Sequence, residues 1–164
     1  MQVGRRRQSI GSQQALGRSR RSPADLDAIL TSLVDRVTRR MRAAGRIGRT
    51  VVLRLRFDDY TRATRSSTLR WATAHTSTIL GTARGLLAAA TPLVAERGLT
   101  LIGVAVSNVS NDDIVQLELP FDERSGPDLD AAVDAVRERF GSAALTRAVL
   151  LGRDPGVSMP MLPD

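Results

Sequence analysis

The stretch from Val51 to Asp58 alternates strictly, with Val51, Leu53, Leu55 and Phe57 set against Val52, Arg54, Arg56 and Asp58. A period of two sends successive side chains to opposite faces of a strand, so one face is apolar and the other cationic. Asp58-Asp59-Tyr60-Thr61 interrupts the run, and the β-forming residues Thr64 to Leu69 then return beside it as a hairpin. On that reading Arg54, Arg56 and Arg65 lie on one ribbon with Ser66, Ser67 and Thr68. Fixed charge mixed with small hydroxyls suits a phosphate backbone better than a small-molecule pocket, which is concave and mostly apolar. No small-molecule substrate is expected.

Around this hairpin the other elements fall into order. Ser22, Pro23 and Asp25 make a helix start with a capping box, and Leu26, Ile29, Leu30, Leu33, Val34, Val37 and Met41 form one apolar stripe that Gly45 stops. Arg36, Arg39, Arg40 and Arg42 crowd its last turns, where they complement the negative end of the helix dipole. A second helix follows Thr73–Thr76, with Ile79, Leu80, Ala83, Leu86, Leu87 and Ala90 inward, small residues such as Gly81 and Gly85 permitting close packing, and Pro92 kinking or ending it. Ile102, Val104 and Val106 alternate with Leu101, Gly103 and Ala105 in a further strand. Residues 1–21 are either a basic arm or an edge strand around Ile10.

The resulting order predicts an α+β fold, a βαββαβ sandwich with two helices on one face of the sheet, plus a C-terminal helical segment. In that segment Leu129, Ala132, Val133, Val136 and Phe140 share the face of a third helix, Ser142 caps a fourth running to Leu151, and the rest is a tail. Residue boundaries are expected at 1–21 for the linker and first strand, 22–110 for the main domain, 111–126 for a peptide and linker, and 127–164 for the C-terminal helices and tail.

Charge placement supports an anionic partner. All 24 basic residues are arginine; 17 fall in residues 1–70 against five acids, whereas the remainder holds seven arginines against 12 acids. A one-sided arginine field is the electrostatic footprint of a nucleic-acid binder. Absence of cysteine excludes disulfides, thiolate catalysis and Cys-based zinc sites, and the single His75 builds neither a metal site nor a triad. It is expected at a helix start. No phosphate loop or dinucleotide fingerprint is present, and the adjacent acids Asp58-Asp59 and Asp112-Asp113 fall in a turn and a loop. No catalytic residue, metal ligand or cofactor is expected in the chain. No apolar run suggests a membrane span and no secretory leader is apparent, so a cytoplasmic location is the expectation.

Arg49–Leu69, Ile79–Leu87 and Leu101–Asn108, in this order and spacing, resemble the little finger domain of Y-family translesion DNA polymerases of the DNA polymerase IV type. Arg7-Gln8-Ser9-Ile10-Gly11-Ser12 is similar to the strand that leads into that domain, which favours the strand over the arm. The resemblance implies sequence-independent contacts to primer-template DNA from Ser9, Gly11, Ser12, Arg54, Arg56, Arg65, Ser66 and Thr68. Ser67 stands where the family usually has a second basic residue. Gln116-Leu117-Glu118-Leu119-Pro120-Phe121 resembles the motif that docks such polymerases on the sliding β-clamp, with Gln116, Leu117, Leu119 and Phe121 as contacts. The resemblance further implies that the catalytic palm, fingers and thumb, and the Mg2+ they hold, are missing from this chain. It would take part in DNA-directed DNA polymerisation only if those domains were supplied. The alternative is a clamp-binding remnant without useful DNA affinity.

Overall fold

The computed structural model describes residues 9–112, 126–153 and 158–160. Five strands form one antiparallel sheet in the order β3-β2-β4-β1-β5, with β1 at Ser9–Ala15, β2 at Arg46–Arg56, β3 at Arg62–Thr73, β4 at Leu101–Asn111 and β5 at Ser158–Pro160. Helices α1 (Pro23–Ala43) and α2 (Thr76–Arg97) pack on one side of it, so β1, α1, β2, β3, α2 and β4 make the expected βαββαβ unit.

Helix α1 begins where its capping chemistry dictates. The Ser22 hydroxyl accepts from the Asp25 N–H at 3.1 Å while the Asp25 carboxylate accepts from the Ser22 N–H at 3.4 Å. Leu30, Leu33, Val34, Val37 and Met41 are fully buried and meet Val51, Leu53, Leu55 and Phe57 of the sheet. Near the start of β2, a Cβ on Gly48 would collide with Val106 and crowd Met41, so only glycine lets α1 and the sheet approach this closely.

Helix α2 runs through Pro92 to Arg97 without ending there. Ile79, Leu80, Ala83 and Ala90 face the core, whereas Gly81 and Gly85, expected to ease packing on the sheet, point to solvent. Its 22 residues are long and apolar enough to cross a bilayer, with a mean hydropathy of 1.3 over the most apolar window. Its buried side nevertheless lies on the sheet, and Arg84 on its outer side pairs with Asp27 of α1 at 2.7 Å. His75 is the residue before its first turn, as expected, but offers no capping side chain.

That cap comes from another element. In α3 (Gly126–Phe140) Asp130 accepts from the Thr76 N–H at 2.8 Å and pairs with Arg42 at 3.3 Å, while Asp134 accepts from Arg42 at 2.6 Å. Arg137, nearly buried, pairs with Asp35 at 2.8 Å. Burial disfavours the charge on Arg42, but the Asp134 hydrogen bond and the charges of Asp130 and Asp134 outweigh it and raise its pKa above the ordinary arginine value. Helix α3 therefore docks by its ionic side. Of the apolar face, Val133 and Val136 are half-buried, while Leu129 at 59% and Phe140 at 68% are exposed. The fourth helix is reduced to a 3-10 turn at Ala148–Leu150, and part of the expected tail is β5, which pairs with Ser12–Gln14.

Candidate nucleic-acid interface

The ladder registers define the uncovered face of the sheet as four cross-strand rows. From one end these are Thr68-Thr50-Ser107-Ser9, Ser66-Val52-Ala105-Gly11, Thr64-Arg54-Gly103-Gln13 and Arg62-Arg56-Leu101-Ala15. Directly opposed residues share a face, so these side chains project away from the helices. The four rows carry three arginines, Arg54, Arg56 and Arg62, and no carboxylate. Towards β4 and β1 the middle rows carry glycine and alanine, which let a ligand approach the backbone closely.

Small polar groups occupy the far end. The hydroxyls of Thr50 and Thr68 are 3.2 Å apart, and Asn108 donates to Thr50 at 2.8 Å. Asn108 adopts φ 53, a left-handed conformation that asparagine tolerates better than most residues, and this turns its amide towards the row. At the other end the Arg56 Nε donates to the Thr100 hydroxyl at 3.3 Å. The hairpin beyond is held by the Asp59 carboxylate, which accepts from the Thr61 hydroxyl and, at 3.0 Å, from the Thr61 N–H; the hydroxyl first, then the N–H, keep the Asp59 carboxyl below the usual carboxylate range.

Of the residues expected in contact with DNA, Arg54, Arg56, Ser66, Thr68, Ser9 and Gly11 lie together on this face. Two do not. Arg65 stands opposite Leu53 and projects to the helix side, remaining exposed because β3 is the edge strand and overhangs the helices. Ser12 stands opposite Val104 and is fully buried towards the core. Both are corrected to the other side of the sheet. Ser67, opposite Val51, joins them there. In their place the registers bring Arg62, Thr50, Asn108 and Gln13 to the face or its rim, of which Arg62 carries charge. Ala63 and Leu69, the apolar residues bracketing the polar run, were the signal for the side that β3 turns inward. The expected clamp contacts Gln116, Leu117, Leu119 and Phe121 lie outside the described residues.

The C-terminal domain of the impB/mucB/samB family matches residues 7–119. The chain belongs to that family. Its relatives include DNA polymerase IV 2 of Mesorhizobium japonicum, 35% identical over 161 residues that cover 88% of this chain and 38% of the relative. DNA polymerase IV of Moorella thermoacetica is 32% identical over 143 residues, 87% of this chain and 35% of that protein. The chain thus spans under two fifths of the length of these relatives. A Y-family DNA polymerase chimera of Dbh and Dpo4 has the same fold over 63% of this chain and 29% of its own, with a TM-score of 0.52 at 15% identity. The sheet with its two helices on one side is therefore the C-terminal domain of that family, and it shares its fold with this Y-family DNA polymerase.

Proposed function

We propose that this domain holds double-stranded primer-template DNA without regard to sequence, as part of a translesion polymerase, and docks that polymerase on a sliding clamp through Gln116–Phe121. The observation that carries the DNA reading is the carboxylate-free face on which Arg54, Arg56 and Arg62 stand among serine, threonine and glycine. Guanidinium forks and hydroxyls bind phosphate oxygens, which set position on a duplex but carry no base information. No aromatic side chain sits in the four rows, so the base stacking typical of RNA-binding sheets has no platform there. The clamp reading rests on the Gln-Leu-x-Leu-Pro-Phe pattern, in which leucine and phenylalanine supply the apolar anchors of a peptide in a groove.

Titrating a duplex with a primer-template end against the chain at several salt concentrations tests the first reading. Affinity is expected to fall with salt at a log-log slope of about −0.9 for each phosphate contacted. Surface capture of a sliding clamp by the chain, lost on replacing Leu119 and Phe121 by alanine, tests the second. Polymerisation itself is proposed only for an assembly that includes a catalytic portion such as the longer relatives have room for.

A further inference from the structure

Among the described strand residues, Asn108 alone has a left-handed backbone, with φ 53 in the middle of β4. Glycine takes that conformation freely, whereas a residue with a Cβ, asparagine included, is strained there. An asparagine kept in such a place points to a use for its amide. The amide is engaged: Nδ2 donates to the Thr50 hydroxyl at 2.8 Å, and the Thr50 and Thr68 hydroxyls are 3.2 Å apart. A chain of three polar groups thus crosses three neighbouring strands, from β4 through β2 to β3.

Two hydroxyls bring two O–H groups, and one of these is spent between them. One O–H remains, and among the described residues neither hydroxyl has another side-chain acceptor. Thr68 is exposed and Thr50 half-buried, so the spare O–H is that of Thr68. Because the Thr50 oxygen already receives the amide proton, its own proton is drawn towards Thr68, and bonds in such a chain polarise one another. This end of the open face is therefore set to donate outwards without carrying charge.

We propose that Thr68 donates this O–H to a phosphate oxygen of the duplex, and that Asn108 is the positioning residue that holds the chain in the donating direction. The inference rests on the duplex reading above and adds to it a contact of a second kind. A diester phosphate oxygen accepts and does not donate, which matches a chain with a proton to give. Unlike the contacts of Arg54, Arg56 and Arg62, this one neutralises no charge and releases no counterion. It raises affinity without steepening the salt dependence.

Fluorescence anisotropy of a labelled primer-template duplex with the full chain, at several salt concentrations, tests the proposal. Thr68→Val keeps the shape and removes the hydroxyl. It is expected to weaken binding about three- to tenfold, in line with one hydrogen bond, with an unchanged log-log slope. Asn108→Gly keeps the backbone conformation and removes the amide. It is expected to weaken binding by a smaller factor, again with an unchanged slope and with the fold intact by thermal melt. The double variant Asn108→Gly, Thr68→Val is expected to bind as Thr68→Val alone does, because Asn108 acts through Thr68; a residue that only shapes the strand would add its own loss. Additive losses in the double variant, a reduced slope in either single variant, or parent-like binding by either would each overturn the proposal. If Arg54→Ala lowers the slope while Thr68→Val binds like the parent chain, the arginine face stands and this contact alone falls. A parent chain without salt-dependent duplex binding removes both.

Discussion

Arg56 stands directly across the β2–β3 ladder from Arg62, so two cations of like sign occupy one cross-strand pair on the open face. Like charges in that position destabilise a sheet by a few tenths of a kcal/mol to about 1 kcal/mol. No carboxylate in the four rows offsets them. Such a pair is tolerable in an exposed strand and becomes favourable once a phosphate lies between the two guanidinium groups. Replacing Arg62 by threonine is therefore expected to raise the melting temperature slightly at low salt while weakening duplex binding and reducing the salt slope by about 0.9. Parallel thermal melts and DNA titrations check both directions.

The register also separates Arg65 from its neighbours. Because it projects to the helix side opposite Leu53, Arg65→Ala is expected to leave the salt slope of duplex binding unchanged, whereas Arg54→Ala lowers it by about one contact. Fluorescence anisotropy of a labelled duplex at four salt concentrations resolves a difference of this size. Equal losses from the two variants would show that the edge strand presents both of its sides to DNA.

Leu53 is fully buried at the centre of the apolar side, beside Val104 in the ladder and among the side chains of the helix layer. Leu53→Ala is expected to cost about 2–5 kcal/mol, the range for a leucine truncated within a packed core. Urea unfolding would show the midpoint falling while the slope is retained.

Helix α3 is held by charge. Asp130 caps α2 at the Thr76 N–H and pairs with Arg42, both in partly or fully buried surroundings. Asp130→Ala leaves the Thr76 N–H uncapped and removes one of the two carboxylates on Arg42, which keeps Asp134, a loss of about 1–3 kcal/mol. Since the α1, α2 and sheet core does not depend on α3, this loss is expected to appear as local release of α3. Hydrogen exchange would rise across residues 128–140 while β2 and β4 stay protected.

The capping box gives a pH signature. The Ser22 hydroxyl, followed by Arg153, holds the Asp25 carboxyl below its ordinary value. A depressed carboxylate pKa means the folded state binds its proton less readily than the unfolded chain does. The stabilisation is thus complete above the unfolded aspartate pKa of about 3.9 and lost as pH falls through the lower folded value. Ser22→Ala is expected to flatten the acid limb of the melting-temperature profile below about pH 4 and to leave its shape above pH 6 unchanged.

Much of this was legible in the sequence because one pattern set it. The alternation from Val51 to Asp58 fixes which side of β2 meets the helices, and the Ser22-Pro23-Asp25 start with the Leu26–Met41 stripe fixes α1. Register was less legible. In β3 the run Thr64-Arg65-Ser66-Ser67-Thr68 has no apolar residue to mark its inward side, so a displacement of one residue exchanges Arg65 for Ser66. The parity follows from the turn at Asp58–Thr61, where Tyr60 takes φ 63 and Phe57 donates to the Thr61 carbonyl. The same weakness of signal in Ser9-Ile10-Gly11-Ser12 hid the burial of Ser12.

Helix α3 was legible in its extent but not in how it docks. Its apolar stripe was visible, but the buried partners were Asp130, Asp134 and Arg137, one turn apart on a neighbouring side. Periodicity of hydrophobic residues does not register a helix docked through ion pairs. Three residues of β5 are too few to show alternation at all.

Arg54, Arg56 and Arg62 on the open face are proposed to contact DNA phosphates. The deciding comparison is the salt dependence of duplex affinity for the parent chain and for the triple variant Arg54→Ala, Arg56→Ala, Arg62→Ala. The triple variant is expected to lose about 2.7 from the log-log slope, three contacts at about 0.9 each, with its fold intact by thermal melt. An unchanged slope in a folded triple variant would contradict it.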